Sequence, residues 1–452
     1  IPLDCFMMAP SCVPASPFER AGAVIEEDEI AELLRHPRIL GLAEMMNFPG
    51  VISGDESVLA KVAAALSRDG IVDGHSPGLL GRDLVAYASA GVSSDHECST
   101  PEEAKQRAAL GMTVLVREGS MARNLDAMLP AILGDDLGDW CLCTDDVHAE
   151  DLMNEGHLDC LLRRLVEAGL PPVDAVRHAS FTAARHYGLR NRGAVAPGCR
   201  AGLVVFDDAK SFDVNLVVQD GRIVVRDGEL QPTQPPPRMS EENTIHLPDR
   251  IAPDLFRLKI SEGQGTAETD VIGLVPDQIV TTRERIAVST DDDGCWTFDP
   301  AHDLALIACV QRHQPTGDLG LALVKGFGFA KHGALASSVG HDAHNILAAG
   351  TNESDMAAAV EALRDMGGGF VCVSHGKTIG RMPLPVAGLL SQEPATEVVR
   401  QQNAVNQSAR ALGCSLHSPF GTLSFLGLSV IPTLKVTDLG LFDVETFSLV
   451  NA

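Results

Sequence analysis

Residues 39–75 read ILGLAEMMNFPGVISGDESVLAKVAAALSRDGIVDGH, and this stretch decides the fold. An apolar run from Ile39 to Ala43 ends in a carboxylate, Glu44. A helical segment follows. Ser53-Gly-Asp-Glu56 has capping-box spacing, VLAKVAAALSR carries the helix, and Gly70 stops it. A second apolar run, Ile71 to Gly74, ends in an imidazole, His75. Strand, helix and strand in this order predict parallel neighbours in one sheet. Metal-type side chains at the C-terminal ends of such strands lie where a (β/α)8 barrel carries its chemistry.

The pattern continues in both directions. His96 follows Gly-Val-Ser-Ser-Asp95, and Asp145 follows Trp140-Cys-Leu-Cys-Thr144. Further strand ends fall near Met8 and Glu118. Thr100-Pro-Glu-Glu103 combines an N-cap, a proline at the first helical position and a capping glutamate, and that helix ends at Gly111. Helices are also expected from Asn154 to Gly169 and from Pro172 through Arg185. Six strands are legible up to about residue 190, and a closed barrel at ~30 residues per unit would need two more upstream. A His-x-His pair ending a first strand is absent. IPLDCFMMAP at the start already reads as a strand, so the chain is expected to be a piece of a longer protein.

Beyond residue 190 the character changes. GAVAPGCRAGLVVFDD and VNLVVQDGRIVVRDGEL are rich in turns and strands, with a hairpin turn at Gln219-Asp-Gly-Arg222. Gln231 to Arg238 is a stiff proline-rich segment. The expected organisation is α/β. A TIM-type (β/α)8 metal-dependent hydrolase barrel, its first strands missing and strands 3–8 present, occupies residues 1–190. A small β-sandwich portion follows over 191–230, then a linker over 231–244. A C-terminal α+β domain covers 245–452, with strands at RIAVST, LALIACV and GFVCVS and helices at MAAAVEALRDMG and around 395–412. Met366-Gly-Gly-Gly-Phe370 lacks the Lys-Ser/Thr of a phosphate loop and reads as a helix end turning into a strand.

A hydrophobic share of 45% supports large cores, and aromatics at 4% make them aliphatic. The formal charge of −26 argues against nucleic acid or an anionic membrane as partner, since both recruit basic surface. No apolar run approaches the ~20 residues of a membrane-spanning helix, and no signal peptide opens the chain. Eleven cysteines, scattered and often in apolar runs, read as reduced thiols of a cytoplasmic protein. Cys141 and Cys143 share one strand face, and packing explains them better than zinc.

Taken singly, a histidine or glutamate is more often a surface or capping residue than a ligand. The joint placement of Glu44, His75, His96 and Asp145 changes this. Each ends an apolar strand, where an unpaired ionisable group is costly. A bound cation removes that cost, and mixed imidazole and carboxylate donors suit zinc, iron or manganese. A carboxylate on the last strand can both bind metal and take a proton from metal-bound water.

Gly41-Leu-Ala-Glu-Met-Met46, Asp73-Gly-His-Ser-Pro-Gly78, Asp95-His-Glu97, Val116-Arg-Glu-Gly-Ser120 and Cys143-Thr-Asp-Asp146 together resemble the adenine deaminases of the amidohydrolase superfamily. Pro10-Ser-Cys-Val-Pro14, His341-Asp-Ala-His-Asn345 and Leu384-Pro-Val-Ala-Gly388 extend the resemblance over essentially the whole chain. It implies two divalent metal ions (Mn2+, Fe2+ or Zn2+), with Glu44 bridging them and His75 and His96 on the second. Asp145 would hold the first ion and carry the proton from attacking hydroxide to departing amine. The two histidines the first ion also needs belong to the absent His-x-His strand. The implied reaction turns adenine and water into hypoxanthine and ammonia, a step of purine salvage. The expected partner is this small molecule alone, with no nucleic acid and no membrane, in a homo-oligomer.

Other residues carry alternatives. Glu118 or Ser120 would touch the purine, or Arg117 and Glu118 pair to brace the strand end. Glu97 would support the ligands from behind or lie on the surface. Asp146 would orient Asp145 or cap the next helix. Ser180 and Arg185 read as structural. His341 and His344 would form a second metal site as an i,i+3 helical pair, reach the active site from the C-terminal domain, or form a strand-end turn with Asp342 and Asn345. Two other readings stand beside adenine deamination. One is a dihydroorotase-like or deacylase-like hydrolase of a cyclic amide or amidine. The other is an inactive fragment that needs the missing strands.

Overall fold

Six short strands alternate with helices in the first half of the chain: β1 (Met7–Ala9), β2 (Ile39–Met45), β3 (Ile71–Gly74), β4 (Ser94–Asp95), β5 (Thr113–Arg117) and β6 (Trp140–Cys143). They run parallel in two sets of three, with Gly41 opposite Ile71 and Val114 opposite Trp140. This is barrel architecture, and it is seen in a computed structural model that describes residues 3–232, 237–276 and 278–450. Ile1, Pro2 and residues 233–236 of the proline-rich segment lie outside the described residues. The chain divides into two units, Ile1–Cys12 with Ile25–Pro237, and Val13–Val24 with Arg238–Ala452.

In the first unit the helices bury aliphatic stripes against the strands. Val114, Val116 and Leu142 meet Leu125, Met128, Ile132, Leu161 and Leu165 in one core. Burial of each such side chain contributes about 1.5–3 kcal/mol. Two glycines bring the site-bearing strands close. A Cβ on Gly41 would lie 2.0 Å from the Ile71 carbonyl oxygen, and one on Gly74 would lie 2.2 Å from that of Ser94. Gly74 thus lets β3 approach β4, and the residues that follow these strands, His75 and His96, come side by side.

Two local expectations are corrected. The helix Glu56–Leu66 is capped by Asp55, whose carboxylate accepts from the Ser57 and Val58 amides. Ser53 instead ends a separate short helix, Phe48–Ser53, which Gly54 terminates in the left-handed conformation (φ 79°). The segment from Pro172 is two helices, Pro172–Ala179 and Phe181–His186. They break at Ser180, whose hydroxyl donates back to the Val176 carbonyl at 2.6 Å.

Strands β7 (Leu203–Phe206), β8 (Val214–Gln219), β9 (Arg222–Arg226) and β10 (Glu229–Leu230) form one antiparallel sheet. The β8–β9 turn places Asp220 and Gly221 at φ 49° and 75°, the two successive positive values of a type I′ hairpin.

The second unit is built on an eight-stranded, mostly antiparallel sheet with helices on both faces. Its central strand Leu304–Val310 is buried on both sides. Leu304, Leu306, Ala308 and Val310 share one core with Met356, Val360 and Leu363 of the helix Glu353–Met366. Ala305, Ile307 and Cys309 share the other with Val405 and Ala409 of the helix Ala395–Ala411. Both faces being covered explains why LALIACV lacks polar alternation. Gly367, at φ 77°, caps the first of these helices, so Met366–Phe370 is a helix end leading into the strand Gly369–Ser374.

Candidate metal centre

β2, β3 and β4 deliver Glu44, His75 and His96 to one point. His75 Nδ1 lies 2.9 Å and His96 Nε2 3.1 Å from the same Glu44 oxygen, Oε2. The rings are edge-on, 5.3 Å between centroids. Glu97 joins them. Its Oε1 is 3.4 Å from His75 Nδ1 and 3.2 Å from His96 Nε2. Asp145, two residues past β6, brings Oδ2 to 3.9 Å from His96 Nε2. Its backbone is left-handed (φ 57°), a conformation aspartate tolerates better than most residues.

Arg117, the last residue of β5, binds both remaining carboxylates. Its guanidinium grips Glu97 through two nitrogens and donates to Asp145 Oδ2 at 2.8 Å. A layer of buried polar contacts holds the strand ends in place. The Tyr87 hydroxyl donates to the Met45 carbonyl (2.7 Å) and accepts from the His75 amide (3.0 Å), tying β2 to β3. Arg107 and Asp95, both fully buried, pair at 2.8 Å, and Asp95 also takes the Ser76 hydroxyl and the Glu97 amide. Asp73 accepts from Ser94, His186 and Tyr187.

Burial opposes charge on Glu44, but His96 and His75 outweigh it and hold this carboxyl well below its usual range. Burial likewise opposes charge on the imidazoles, yet Glu97 lifts His75 above the ordinary histidine value and Glu44 lifts His96 well above it. These atoms can therefore face one another only with positive charge between them. The donor set fits a metal cation: two imidazole nitrogens aimed at one carboxylate oxygen, with the far nitrogen of His75, Nε2, buried and without a hydrogen-bond partner. Glu44, His75 and His96, and again His96, Glu97 and Asp145, each place one donor atom per residue within 4.8 Å of the others.

The structure thus brings Glu44, His75, His96 and Asp145 together, with Glu97 among them. Glu118 points away from this cluster, because successive strand residues face opposite sides. It is buried and accepts from the Arg164 guanidinium and from the Leu125 amide (2.9 Å). Arg117 and Glu118 do not pair with each other; their partners are Glu97 with Asp145, and Arg164. Ser120 donates to Asp151 Oδ2 (2.5 Å) and accepts from the His148 amide. The Asp146 carbonyl accepts from the Ser120 amide. His341 and His344 lie in the second unit, in a loop between the strands Ala334–Ser337 and Ile346–Gly350, not on a helix. His341 stacks on Phe425 (4.3 Å, 12°), and burial pulls the His344 imidazole down to about 4.

Tyr87 and Arg107 are the members that sequence reasoning missed, and Arg107 left a trace: it falls three residues after Ala104, on the buried face of its helix. Arg117 and Asp73 stood in the sequence motifs, but without these partners.

Imidazole and carboxylate donors at successive ends of parallel barrel strands define a metal-dependent hydrolase. Comparison with known proteins agrees. Residues 1–224 match the amidohydrolase family, and residues 278–448 match the adenine deaminase C-terminal domain. The adenine deaminase of Desulfatibacillum aliphaticivorans is 46% identical over 456 residues, spanning 100% of this chain and 78% of that protein. That of Methanothrix thermoacetophila is 44% identical over 448 residues, spanning 99% and 77%. The chain belongs to the adenine deaminase family.

Proposed function

We infer that this chain hydrolyses adenine at C6, consuming water and releasing hypoxanthine and ammonia. The observation that carries this reading is similarity to adenine deaminases along the whole chain, through barrel and C-terminal domain alike. Adenine C6 is a poor electrophile and water a weak nucleophile at neutral pH. Glu44, His75, His96 and Asp145 would hold divalent cations, which when bound would supply the missing nucleophile by lowering the pKa of water.

The remaining steps belong to the protein's own groups. Asp145 Oδ2 takes the proton from the nucleophile and returns it to the departing amine. The Arg117 bond to that oxygen fixes its direction. Glu44, whose Oε2 faces both imidazoles, would be the carboxylate shared by the ions. Glu97 stands among these side chains, and Asp146 would orient Asp145. Glu118 and Ser120 line a pocket with Thr144, His157 and Arg164; Glu118, held by Arg164 and the Leu125 amide, braces the end of β5, and Ser120 is the one of the two that would meet a purine edge. Two further histidines, required for the first ion, have no His-x-His counterpart in residues 1–452. Manganese, iron or zinc would each satisfy these donors. The acidic chain, net charge −26, suits a cytoplasmic homo-oligomer that serves purine salvage and handles a small molecule, without nucleic acid or membrane.

The test is direct. The full-length protein is offered adenine, adenosine and cytosine with manganese or ferrous iron, and ammonia is measured. Adenine alone should be consumed. Turnover of adenosine but not adenine would sink the reading.

A further inference from the structure

We propose that Glu97 is a direct donor to the metal ion of Glu44, His75 and His96, and that Arg117 is the positioning residue that aims it. The inference rests on the metal-centre reading above and extends it. Four atoms form a closed ring of contacts: Glu44 Oε2, His75 Nδ1, Glu97 Oε1 and His96 Nε2. Its four sides measure 2.9, 3.4, 3.2 and 3.1 Å. Donors about 2.1 Å from one cation lie roughly 3.0 Å apart in octahedral and 3.4 Å apart in tetrahedral arrangement. All four sides fall at or within about 0.1 Å of that window. Glu97 Oε1 stands to the two imidazoles as Glu44 Oε2 does.

The carboxylate has no freedom to turn away. Glu97 is 5% exposed; its Oε1 also accepts from the Arg117 Nη1 group, and its other oxygen, Oε2, takes the second guanidinium nitrogen at 3.0 Å. Its backbone amide donates to Asp95 Oδ1 at 2.8 Å. Asp95 is itself pinned by Arg107. A glutamate that served only as a counter-ion to Arg117 would need neither this restraint nor contact with both histidines. Arg117 also holds Asp145, so one side chain aims two carboxylates at the same locus.

Cobalt(II) binding to the metal-stripped full-length protein tests this, with stoichiometry and affinity read by equilibrium dialysis and visible absorption. His75→Ala is the benchmark for losing a donor. Glu97→Gln, which keeps size and an acceptor for Arg117, should weaken one cobalt ion by more than the ten- to hundredfold that loss of an outer partner of a ligand costs, and should shift its visible bands. Glu97→Asp, which keeps the charge but withdraws the oxygen by one methylene, should do the same. It also guards against a Gln variant that fails to fold. Arg117→Lys should give a smaller loss in the same ion. If His75→Ala weakens cobalt but Glu97→Gln and Glu97→Asp bind it like the unaltered protein, the proposal is overturned and the metal centre stands. If His75→Ala also binds like the unaltered protein, both fall.

Discussion

Replacing Arg107 by methionine is expected to destabilise the barrel unit by about 3–5 kcal/mol, the cost of leaving one member of a buried ion pair behind. Arg107 is the largest fully buried side chain among the described residues. It donates to Asp95 Oδ2 at 2.8 Å, to the Ser76 carbonyl at 2.6 Å and to the Leu79 carbonyl at 3.1 Å. Methionine fills a similar volume, so the loss is one of charge and hydrogen bonds, with little cavity. Asp95, with no exposed side-chain surface, is left without its cation. At roughly 2–4 °C per kcal/mol for a unit of this size, the barrel transition should fall by about 6–20 °C in differential scanning calorimetry. Asp95→Leu combined with Arg107→Met removes both charges and should recover most of that loss. The reasoning is refuted if the single variant loses less than about 1 kcal/mol. It is equally refuted if the double variant melts as low as the single one.

Lys435 is fully buried, and its Nζ donates to one carbonyl, that of Ile279, at 2.9 Å. Burial pulls its pKa from 10.5 to about 7, so the unfolded chain binds the extra proton between those values. That cost, about 4–5 kcal/mol, is full below pH 7 and fades as pH rises towards 10.5. Lys435→Met should therefore stabilise the second unit at pH 6 more than at pH 9.5, and an equal gain at both in calorimetry would contradict the assignment. Glu118→Gln weakens bonds to Arg164 and the Leu125 amide and should cost about 1.5–3 kcal/mol with the KM for adenine unchanged. A raised KM at unaltered melting temperature would instead place Glu118 on the purine. Asp145→Asn removes the carboxylate proposed to carry the proton and should lower ammonia release by a factor of about 10² to 10⁴. Retention of most activity would exclude Asp145 from that role.

The strand-end residues were legible because an apolar run that stops at a histidine or carboxylate is a local signal, and four such runs recur in register with helices. Barrel architecture follows from the same alternation. Glu97 was harder to place. It leaves β4 in a loop, where no two-residue period states which way a side chain points. Arg117 was read beside its sequence neighbour, yet its partners lie 20 and 28 residues away. Pairings of that span are set by packing. The break at Ser180 and the cap at Asp55 depend on backbone angles at single residues, which competing capping signals two positions apart do not resolve. The loop at His341–His344 looked helical because its histidines are three apart, but neighbouring strands leave it only the room of a turn.

Residues Val13–Val24 leave the barrel unit, join the second unit, and the chain then returns. They are integral there. Phe18 packs on Phe442 and Phe447, Arg20 pairs with Asp438, its carbonyl takes the Asn345 amide, and Glu19 takes the Ser429 hydroxyl. During synthesis this segment emerges more than 200 residues before the sheet that needs it. At about 5–20 residues per second, it waits roughly 20–80 s for Ser429 and Asp438, which lie 410 and 418 residues beyond their partners. The second unit therefore cannot finish folding as an independent late event. Its last pieces close around a part of the chain that left the ribosome long before them.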